Sequence, residues 1–256
     1  MIDPRAVIDP EAEIDEGVTI GPFCVIGPKV QIGKGTRIGP HVVIKGPCRI
    51  GRDNRIYQFA SVGEDPQDKK YADEETLLVI GDRNTIRESA TIHRGTVQDE
   101  SLTEIGNDNL FMAYTHVAHD CRVGSHVIMA NAASLGGHVH IGDWAILGGF
   151  TTVHQFCRLG AHCFSAMGSG IGKDVPPFVM VSGQPAQPHG INSEGLKRRD
   201  FSAQQIASIK RAYRTLYNFG LSLAEAREQI VQAAVDNAEM RMFADFLATS
   251  ERSIVR

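Results

Sequence analysis

The sequence predicts a mainly β protein, a parallel β-helix built from hexapeptide repeats and followed by a C-terminal α-helical domain. Three observations predict this fold. An aliphatic residue recurs at every sixth position, two polar segments interrupt the recurrence, and the last quarter of the chain changes to a helical hydrophobic period. The predicted β-helix covers residues 1–190 and the predicted helical domain covers residues 191–256.

The six-residue repeat forms a ladder that runs over residues 8–62, 80–92 and 105–171. Twenty-four of its 25 positions are large and apolar, and Ser165 is the exception. Six matches neither the period of a helix nor that of a lone strand, but it fits a short strand plus a turn. Three such units make a coil of about 18 residues, and stacked coils lie about 4.7–4.9 Å apart. The ladder residues should then form one continuous apolar core.

Glycines and cysteines occupy fixed places relative to this ladder. A glycine such as Gly21 or Gly33 directly follows most ladder residues, as corners with unusual backbone angles would need. All five cysteines stand two positions before a ladder residue, in a slot otherwise filled by small or slim side chains: Cys24, Cys48, Cys121, Cys157 and Cys163. They are therefore predicted to be packing residues rather than a disulfide framework.

The two interruptions are predicted loops over residues 63–79 and 93–104, both polar and irregular. Loops that leave a solenoid usually line a binding face. Prolines at 176, 177, 185 and 188 predict a linker. Beyond it, Ser202 with Gln205 and Ser222 with Glu225 each predict a capped helix. The first of these helices has an apolar stripe formed by Ile206, Ile209, Tyr213, Leu216 and Tyr217.

The bulk composition is that of an ordinary globular protein. Hydrophobic residues make up 42%, charged residues 22%, and the formal net charge is −4. This balance disfavours a nucleic-acid binder, whose domain should be basic. No apolar run approaches the roughly 18 residues of a transmembrane helix, and no signal peptide is visible. We therefore expect a cytoplasmic protein without a transmembrane segment or a nucleic-acid partner.

Histidines that stacking should bring close together are the candidates for chemistry. His119 and His138 are separated by nearly one coil, and His93, His116 and His154 lie within a few coils of them. Three interpretations remain open: a general base, a zinc site shared between subunits, or a solvated face without function. The nearby polar residues Asp68, Lys70, Asp120 and Gln155 disfavour the third interpretation.

Several segments resemble the UDP-N-acetylglucosamine O-acyltransferases that begin lipid A synthesis, and the resemblance covers essentially the whole chain. The most specific segments read IHRGTVQ at 92–98, HVAHD at 116–120 and NSEGLKRR at 192–199. The resemblance implies transfer of an (R)-3-hydroxyacyl group from acyl carrier protein to the 3-hydroxyl of UDP-N-acetylglucosamine. It also implies a left-handed β-helix in a homotrimer with active sites between neighbours, without metal or cofactor. The repeat itself does not show the handedness, and connections between parallel strands are right-handed in the great majority of proteins.

The resemblance also implies residue roles. His119 would be the general base, Asp120 its orienting partner, and the backbone N–H of Gly137 the donor to the oxyanion. The remaining residues match the family's substrate-binding positions: Asp68, Lys70, His93, His116, His138, His154, Gln155, Asn192, Glu194, Arg198 and Arg199. A purely structural role at a corner stays open for Asp120. For Arg198 and Arg199, the open alternative is that they form a surface patch.

Met167 matches the position at which family members measure acyl length, and its long side chain predicts a medium-length acyl chain. Packing of Met167 on the prism is the alternative. A basic patch in the helical region is expected to bind the acidic carrier protein: Lys197, Arg198, Arg199, Lys210, Arg211 and Arg214. Two other functions stay open. They are the related N-acyltransferase, which resembles this chain less because it carries an extra N-terminal domain, and a solenoid scaffold without activity.

Overall fold

The computed structural model describes residues 1–250 and 252–256. Residues up to about 182 form a left-handed parallel β-helix with a triangular cross-section, and helices follow at the C-terminal end. The predicted fold class is confirmed. The left-handed winding agrees with the resemblance and not with the general preference for right-handed crossovers.

Within the described residues, the three faces of the prism carry nine, eight and ten strands. Face 1 contains Val7–Ile8, Val25–Ile26, Val43–Ile44, Ser61–Glu64, Thr91–His93, His116–Val117, Ser134–Leu135, Thr152–Val153 and Gly170–Ile171. Face 2 contains Glu13–Ile14, Val30–Ile32, Cys48–Ile50, Leu77–Ile80, Leu102–Ile105, Arg122–Val123, His140–Ile141 and Arg158–Leu159. Face 3 contains Thr19–Ile20, Arg37–Ile38, Arg55–Ile56, Thr85–Ile86, Leu110–Phe111, Ile128–Met129, Ile146–Leu147, Phe164–Ser165, Val179–Ser182 and Gln187–Ile191.

The ladder residues form the core, as predicted. All of those between Ile20 and Ile171 are buried, whereas Ile8 and Ile14 are half-buried in the first coil. Ser165 is the polar exception, and its hydroxyl lies 2.8 Å from the hydroxyl of Thr151. Its hydrogen-bonding capacity is therefore satisfied inside the prism.

The corners of the prism need glycine for a different reason from the one expected. Gly21 and Gly33 do not have a positive φ; instead, a Cβ on Gly21 would lie 2.8 Å from Pro40 N, and one on Gly33 would lie 2.7 Å from the carbonyl carbon of Gly51. The left-handed backbone occurs two residues later, as at Phe23, where φ is 60°. Close approach of the next coil, and not backbone angle, therefore excludes a side chain at these glycines.

Asparagines that stand two positions before an aliphatic ladder residue form a second, buried ladder. Asn84 Nδ2 donates to the carbonyl of Gly106, while its Oδ1 accepts from the amide of Asn109, both at 2.9 Å. Asn54 makes the equivalent contacts one coil earlier. The five cysteines occupy the same slot and are buried as free thiols, and burial raises the pKa of Cys121 to about 12. Their predicted packing role agrees with this.

The two excursions are shorter than predicted and are anchored to the prism. They span residues 65–76 and 94–101, between the neighbouring strands. The buried guanidinium of Arg94 holds the first loop: it donates to the carbonyl of Gly63 at 2.6 Å, pairs with Asp65 and contacts the hydroxyl of Tyr71 at 3.0 Å. The loops are therefore structured where they leave the core.

The chain from 174 onward closes the prism. The predicted proline-rich linker contributes Val179–Ser182, the last parallel strand of face 3, and Gln187–Ile191 pairs antiparallel with it. In the described part of the chain four helices follow: α1 (Ser193–Lys197), α2 (Ala203–Tyr217), α3 (Leu223–Ala233) and α4 (Ala238–Thr249). Both predicted capping boxes are present, at Ser202 and at Ser222.

The predicted stripe of α2 is buried at Ile206, Ile209 and Leu216 and half-buried at its two tyrosines. Phe243 of α4 packs on Phe178 of the prism, with ring centroids 5.6 Å apart. Among the described residues, none of these helices has the length and apolar character required to cross a bilayer.

Candidate active site

The corner between faces 1 and 2 holds a histidine–aspartate pair. Nδ1 of His119 lies 2.8 Å from Oδ2 of Asp120, and both side chains are largely buried. Asp120 lies at a left-handed corner position, with φ of 58°, and this turns its side chain back beside that of the preceding residue. Because Nδ1–H donates to the carboxylate, Nε2 of His119 is left as the proton acceptor.

Asp120 is held in place by the second loop. Its Oδ1 accepts from the amide of Thr96 at 2.7 Å, and its Oδ2 accepts from the hydroxyl of Thr96 at 2.6 Å. Burial alone would raise the pKa of Asp120, but the hydrogen bonds from His119 and Thr96 outweigh burial and lower it. The carboxylate is therefore ionised and orients His119. Asp120 therefore both forms the corner and contacts His119.

Gly137 lies one coil above His119 and in contact with it. A Cβ on Gly137 would lie 2.5 Å from Cε1 and 2.7 Å from Nε2 of the imidazole. The N–H of Gly137 donates no hydrogen bond within the described part of the chain. Other corners have Pro22 or Pro40 at this position, so the coil does not need this amide. A free N–H beside the imidazole is suited to an oxyanion.

His138 occupies the next left-handed corner position. Its ring stacks on that of Phe156 at 4.4 Å and meets the ring of His119 edge-on at 5.1 Å. Its Nδ1 lies 2.8 Å from Oδ2 of Asp99, and its Nε2 lies 3.7 Å from Oδ2 of Asp120. The structure thus joins His119, Asp120, Gly137 and His138 in one cluster, and the stacking of coils predicted the closeness of His119 and His138.

His93 and His116 extend this cluster along face 1. Their rings meet edge-on at 5.1 Å, and Nδ1 of His116 lies 2.7 Å from the hydroxyl of Thr91. Burial, followed by the neighbouring His116, lowers the pKa of His93 to about 4. Burial, followed by His119, also lowers the pKa of His116. Both rings are therefore neutral at physiological pH.

The ligand atoms of His119, Asp120 and His138 lie within 4.8 Å of one another, a spacing that a metal ion could bridge. The hydrogen bonds favour another interpretation. Nδ1 of each imidazole already lies beside a carboxylate, and both oxygens of Asp120 accept from Thr96. This is the arrangement of an oriented base.

Among the described residues, four other predicted ones form no side-chain hydrogen bond or ion pair with the imidazole cluster of the same chain. Asp68 and Lys70 lie in the first loop, where Asp68 Oδ1 accepts from the amide of Lys70 at 3.0 Å. His154 and Gln155 are exposed on the corner above His138. Arg252 from the C-terminal segment contacts both: its Nη1 lies 2.8 Å from Nδ1 of His154 and donates to the carbonyl of Gln155.

The predicted nucleotide-binding residues lie near the corner between faces 2 and 3. Nη1 of Arg199 lies 3.1 Å from Nδ1 of His162, and its guanidinium stacks over Trp144 at 5.1 Å. Asn192 caps α1 by accepting from the amide of Gly195 at 2.9 Å. Glu194 pairs with Lys197, and Arg198 is exposed. Arg199 is thus a partly buried, stacked cation rather than part of an open patch.

Met167 lies at the third corner, between faces 3 and 1, and is 77% exposed. It does not share a corner with His119, so one chain alone does not place both residues along a single groove. The predicted residues are distributed over all three corners of the prism. Stacking of coils within one chain brings together residues of one corner only. The phase of the hexapeptide repeat does not show which corners meet between neighbouring chains.

Sequence reasoning missed several residues at these corners. Thr96 and Asp99 belong to the second predicted loop, and neither was assigned a contact with the histidines. Trp144 and His162 belong to the corner column under Arg199. The positions of Trp144 and His162, 18 residues apart, were a usable signal, because the ladder period places them in register. No comparable signal identified Asp99, because loop contacts do not follow the period.

Two family models match parts of the chain. One is described as UDP N-acetylglucosamine O-acyltransferase, domain 2, and matches residues 174–255. The other is described as the GMPPB C-terminal domain and matches residues 1–100. Together they cover a segment of the repeat region and the helical end of the chain.

Curated relatives and solved structures match over the full length. The acyl-[acyl-carrier-protein]–UDP-N-acetylglucosamine O-acyltransferase of Halorhodospira halophila is 58% identical, covering 100% of this chain and 99% of the relative. The structure of LpxA from Acinetobacter baumannii is 49% identical with a TM-score of 0.97, over 100% of this chain and 99% of that one. The UDP-N-acetylglucosamine O-acyltransferase (LpxA) structure from Moraxella catarrhalis is 45% identical with a TM-score of 0.98, with the same coverage.

Proposed function

This chain belongs to the UDP-N-acetylglucosamine O-acyltransferases, and on that premise we propose that His119 is the general base of its acyl transfer. The substrates are UDP-N-acetylglucosamine and a (R)-3-hydroxyacyl group on acyl carrier protein, in the first step of lipid A biosynthesis. The observation that carries the proposed mechanism is the His119–Asp120 pair, which lies against Gly137. The N–H of Gly137 donates no hydrogen bond among the described residues.

In the proposed reaction His119 first accepts and later returns a proton, while Gly137 and Asp120 assist it. Nε2 of His119 takes the proton of the glucosamine 3-hydroxyl, whose oxygen attacks the thioester carbon. The N–H of Gly137 donates to the oxyanion that forms. The C–S bond then breaks, and the imidazolium returns the proton to the departing thiolate. Asp120 fixes the tautomer of His119 and stabilises its charged form.

The distribution of residues over three corners supports a site shared between chains. We propose that the chain acts as a homotrimer in which the His119 corner of one subunit faces the Arg199 and Met167 corners of a neighbour. Arg199, a preorganised cation on Trp144, would then bind the diphosphate or nucleotide. Asn192, Glu194 and Arg198 are proposed to line the same side. A cytoplasmic location stays a prediction.

Met167 is the proposed ruler of the acyl chain. Its side chain is exposed at the third corner, so it is free to fill a groove between subunits. Replacing Met167 with Gly should shift turnover toward longer hydroxyacyl groups, which a panel of loaded carrier proteins would measure. An unchanged chain-length preference in the glycine variant would contradict this role.

The basic surface of the helical region is the proposed docking site for the carrier protein. Arg198 and Arg211 are both exposed, and Lys210 and Arg214 lie close to Arg211 in sequence on α2. Opposite charges across an interface mainly speed association, and salt screens this effect. Changing Arg198 and Arg211 to Glu should weaken carrier-protein binding most at low ionic strength. Unchanged affinity at low salt would contradict the proposal.

The deciding experiment is product analysis with UDP-N-acetylglucosamine and a panel of 3-hydroxyacyl carrier proteins. We expect an ester at the sugar 3-position and a loss of about 10²–10⁴-fold in kcat for His119→Ala. An amide product on an aminosugar acceptor would support the N-acyltransferase instead. Absence of any transfer by the wild type would support a scaffold, and wild-type turnover by His119→Ala would contradict the proposed base.

A further inference from the structure

The first loop leaves the prism at the corner that holds His119. It runs over residues 65–76, between a strand of face 1 and a strand of face 2. Val62 of the first of these strands lies two coils before Val117 in the register of face 1. Two coils amount to about 10 Å along the prism, a distance that a loop of this length can span. The loop is therefore long enough to bring side chains to a substrate bound at this corner.

The tip of this loop, residues 66–70, carries two charged groups that suit a nucleotide sugar. Lys70 is exposed and Asp68 is half-buried, and the amide of Lys70 donates to Oδ1 of Asp68 at 3.0 Å. A carboxylate accepts hydrogen bonds from sugar hydroxyls, and an ammonium group binds phosphate as a point charge. Where these groups stand relative to the prism depends on how the loop is anchored at the two ends of the tip.

The side chain of Arg94 joins both ends of the tip. Its Nη2 pairs with Asp65, which precedes the tip, and lies 3.0 Å from the hydroxyl of Tyr71, which follows it. Its Nη1 donates to the carbonyl of Gly63 at 2.6 Å. The hydroxyl of Tyr71 also lies 3.5 Å from Oδ1 of Asp65. These three side chains therefore close the base of the tip.

The main chain at Arg94 fixes the same loop at its two stems. The amide of Arg94 donates to the carbonyl of Glu64 at 3.1 Å, and the amide of Gly95 donates to the carbonyl of Leu77 at 3.3 Å. The guanidinium itself is only 6% exposed. A buried charge is stable when hydrogen bonds and an opposite charge replace its hydration, so the loop cannot shift without leaving this cation unpaired.

Two other ion pairs reach the loop from the solvent side. Lys45 lies 3.5 Å from Asp65, and Lys29 pairs with Glu75. All four side chains are substantially exposed, and exposed ion pairs contribute little to stability. The buried Arg94 is therefore the stronger anchor of the tip.

We propose that Arg94 is a positioning residue for the nucleotide sugar, because it holds the tip where Asp68 and Lys70 meet the substrate. This inference rests on the proposed function and deepens it. Arg94 stands two residues before Thr96, whose amide and hydroxyl both donate to Asp120. One short segment thus fixes the partner of the proposed base through Thr96 and the substrate-binding loop through Arg94.

Arg94→Met keeps a long side chain and removes the clamp. A tip that occupies its native position about one tenth of the time raises KM for UDP-N-acetylglucosamine about tenfold. We expect kcat to change less than about threefold, because the sugar at saturation still selects the native tip. Tyr71→Phe removes one hydroxyl and leaves the guanidinium paired with Asp65. It should raise the same KM about threefold, and it serves in place of Arg94→Met should that variant not fold.

A double-mutant cycle separates positioning from a general structural effect. In a background that lacks both tip groups, Asp68→Ala with Lys70→Ala, the Arg94→Met change should raise KM less than about twofold. The matched control is Lys69→Ala, which removes the exposed neighbouring cation and should leave the full effect of Arg94→Met in place. Trypsin cleavage after Lys69 reports the position of the tip without substrate, and it should be about tenfold faster in Arg94→Met.

Two kinetic results would overturn the inference. One is an unchanged KM for UDP-N-acetylglucosamine in folded Arg94→Met. The other is an equal effect of Arg94→Met with and without the two tip groups, which would show that the loss does not pass through Asp68 and Lys70. Absence of acyl transfer by the wild type would instead count against the proposed function. The trypsin comparison would still decide the role of Arg94, because an unchanged cleavage rate would mean that it does not hold the tip.

Discussion

The imidazole of His119 occupies the space in which a side chain on Gly137 would lie. A Cβ on Gly137 would lie 2.5 Å from Cε1 of His119, well inside van der Waals contact. The backbone angle of Gly137 is not in the left-handed region, so steric room alone requires glycine. Gly137 and the imidazole of His119 are therefore neighbours because Gly137 has no side chain.

Changing Gly137 to Ala should displace the imidazole and lower kcat by about 10–100-fold, because misplacing a reacting group by about 1 Å costs this much. The matched control is Gly172→Ala, where a Cβ would meet nothing within 4 Å. Steady-state kinetics and thermal unfolding of both variants would test this. Wild-type kcat in Gly137→Ala would show that the contact does not position His119.

Much of this corner could be predicted because it follows the period of the core. Residues 18 apart lie on adjacent coils, so His119 and Gly137 had to be neighbours once the ladder was in phase. Asp99 could not be placed, because the loop that carries it leaves the period. The glycine corners were assigned the wrong cause, since a repeat shows where glycine recurs but not which neighbouring backbone it touches.

The distribution of the site over three corners predicts complementation between two damaged chains. In mixed trimers of His119→Ala and Arg199→Ala, some interfaces should combine an intact His119 with an intact Arg199 from the neighbour. Random assembly in equal amounts makes about one quarter of the interfaces intact. Acyl-transfer assays at a UDP-N-acetylglucosamine concentration that is limiting for both variants should therefore recover about a quarter of wild-type activity.

Each variant assembled alone is the control for complementation, because neither contains an intact pair. Mixing after assembly, without subunit exchange, should recover nothing. Activity of the mixed trimers no higher than the mean of the two separate variants would show that His119 and Arg199 of one chain serve the same site or that Arg199 serves none.

The buried asparagine ladder predicts a loss of stability through hydrogen bonds between coils, an effect that the aliphatic repeat alone does not predict. Asn84→Ala leaves the carbonyl of Gly106 and the amide of Asn109 without their side-chain partners. Buried unsatisfied groups of this kind should cost about 2–4 kcal/mol in the free energy of unfolding. Asn131→Ala, at an exposed corner, should cost less than about 0.5 kcal/mol. Denaturant unfolding at a fixed protomer concentration would measure both, and equal effects would contradict a role for the ladder.

The buried imidazole of His93 predicts loss of stability in acid. Burial and the nearby His116 lower the pKa of His93 from 6.5 to about 4 in the folded chain. As pH falls from about 6.5 to about 4, the unfolded chain binds a proton at His93 that the folded chain does not bind, so the free energy of unfolding decreases with falling pH. Across this window His93 should account for about 2–3 kcal/mol of the decrease.

His93→Gln removes this titration and should flatten the acid side of the stability profile. His162, whose pKa burial and Arg199 also lower to about 4, should leave a residual slope of similar size. The exposed His189 provides the control, since His189→Gln should leave the slope unchanged. Denaturant unfolding at several pH values would measure all three proteins. An acid slope in His93→Gln equal to that of the wild type would mean that the folded chain accepts a proton at His93 as readily as the unfolded chain does. The conclusion that the buried ring of His93 is neutral at physiological pH would then be wrong.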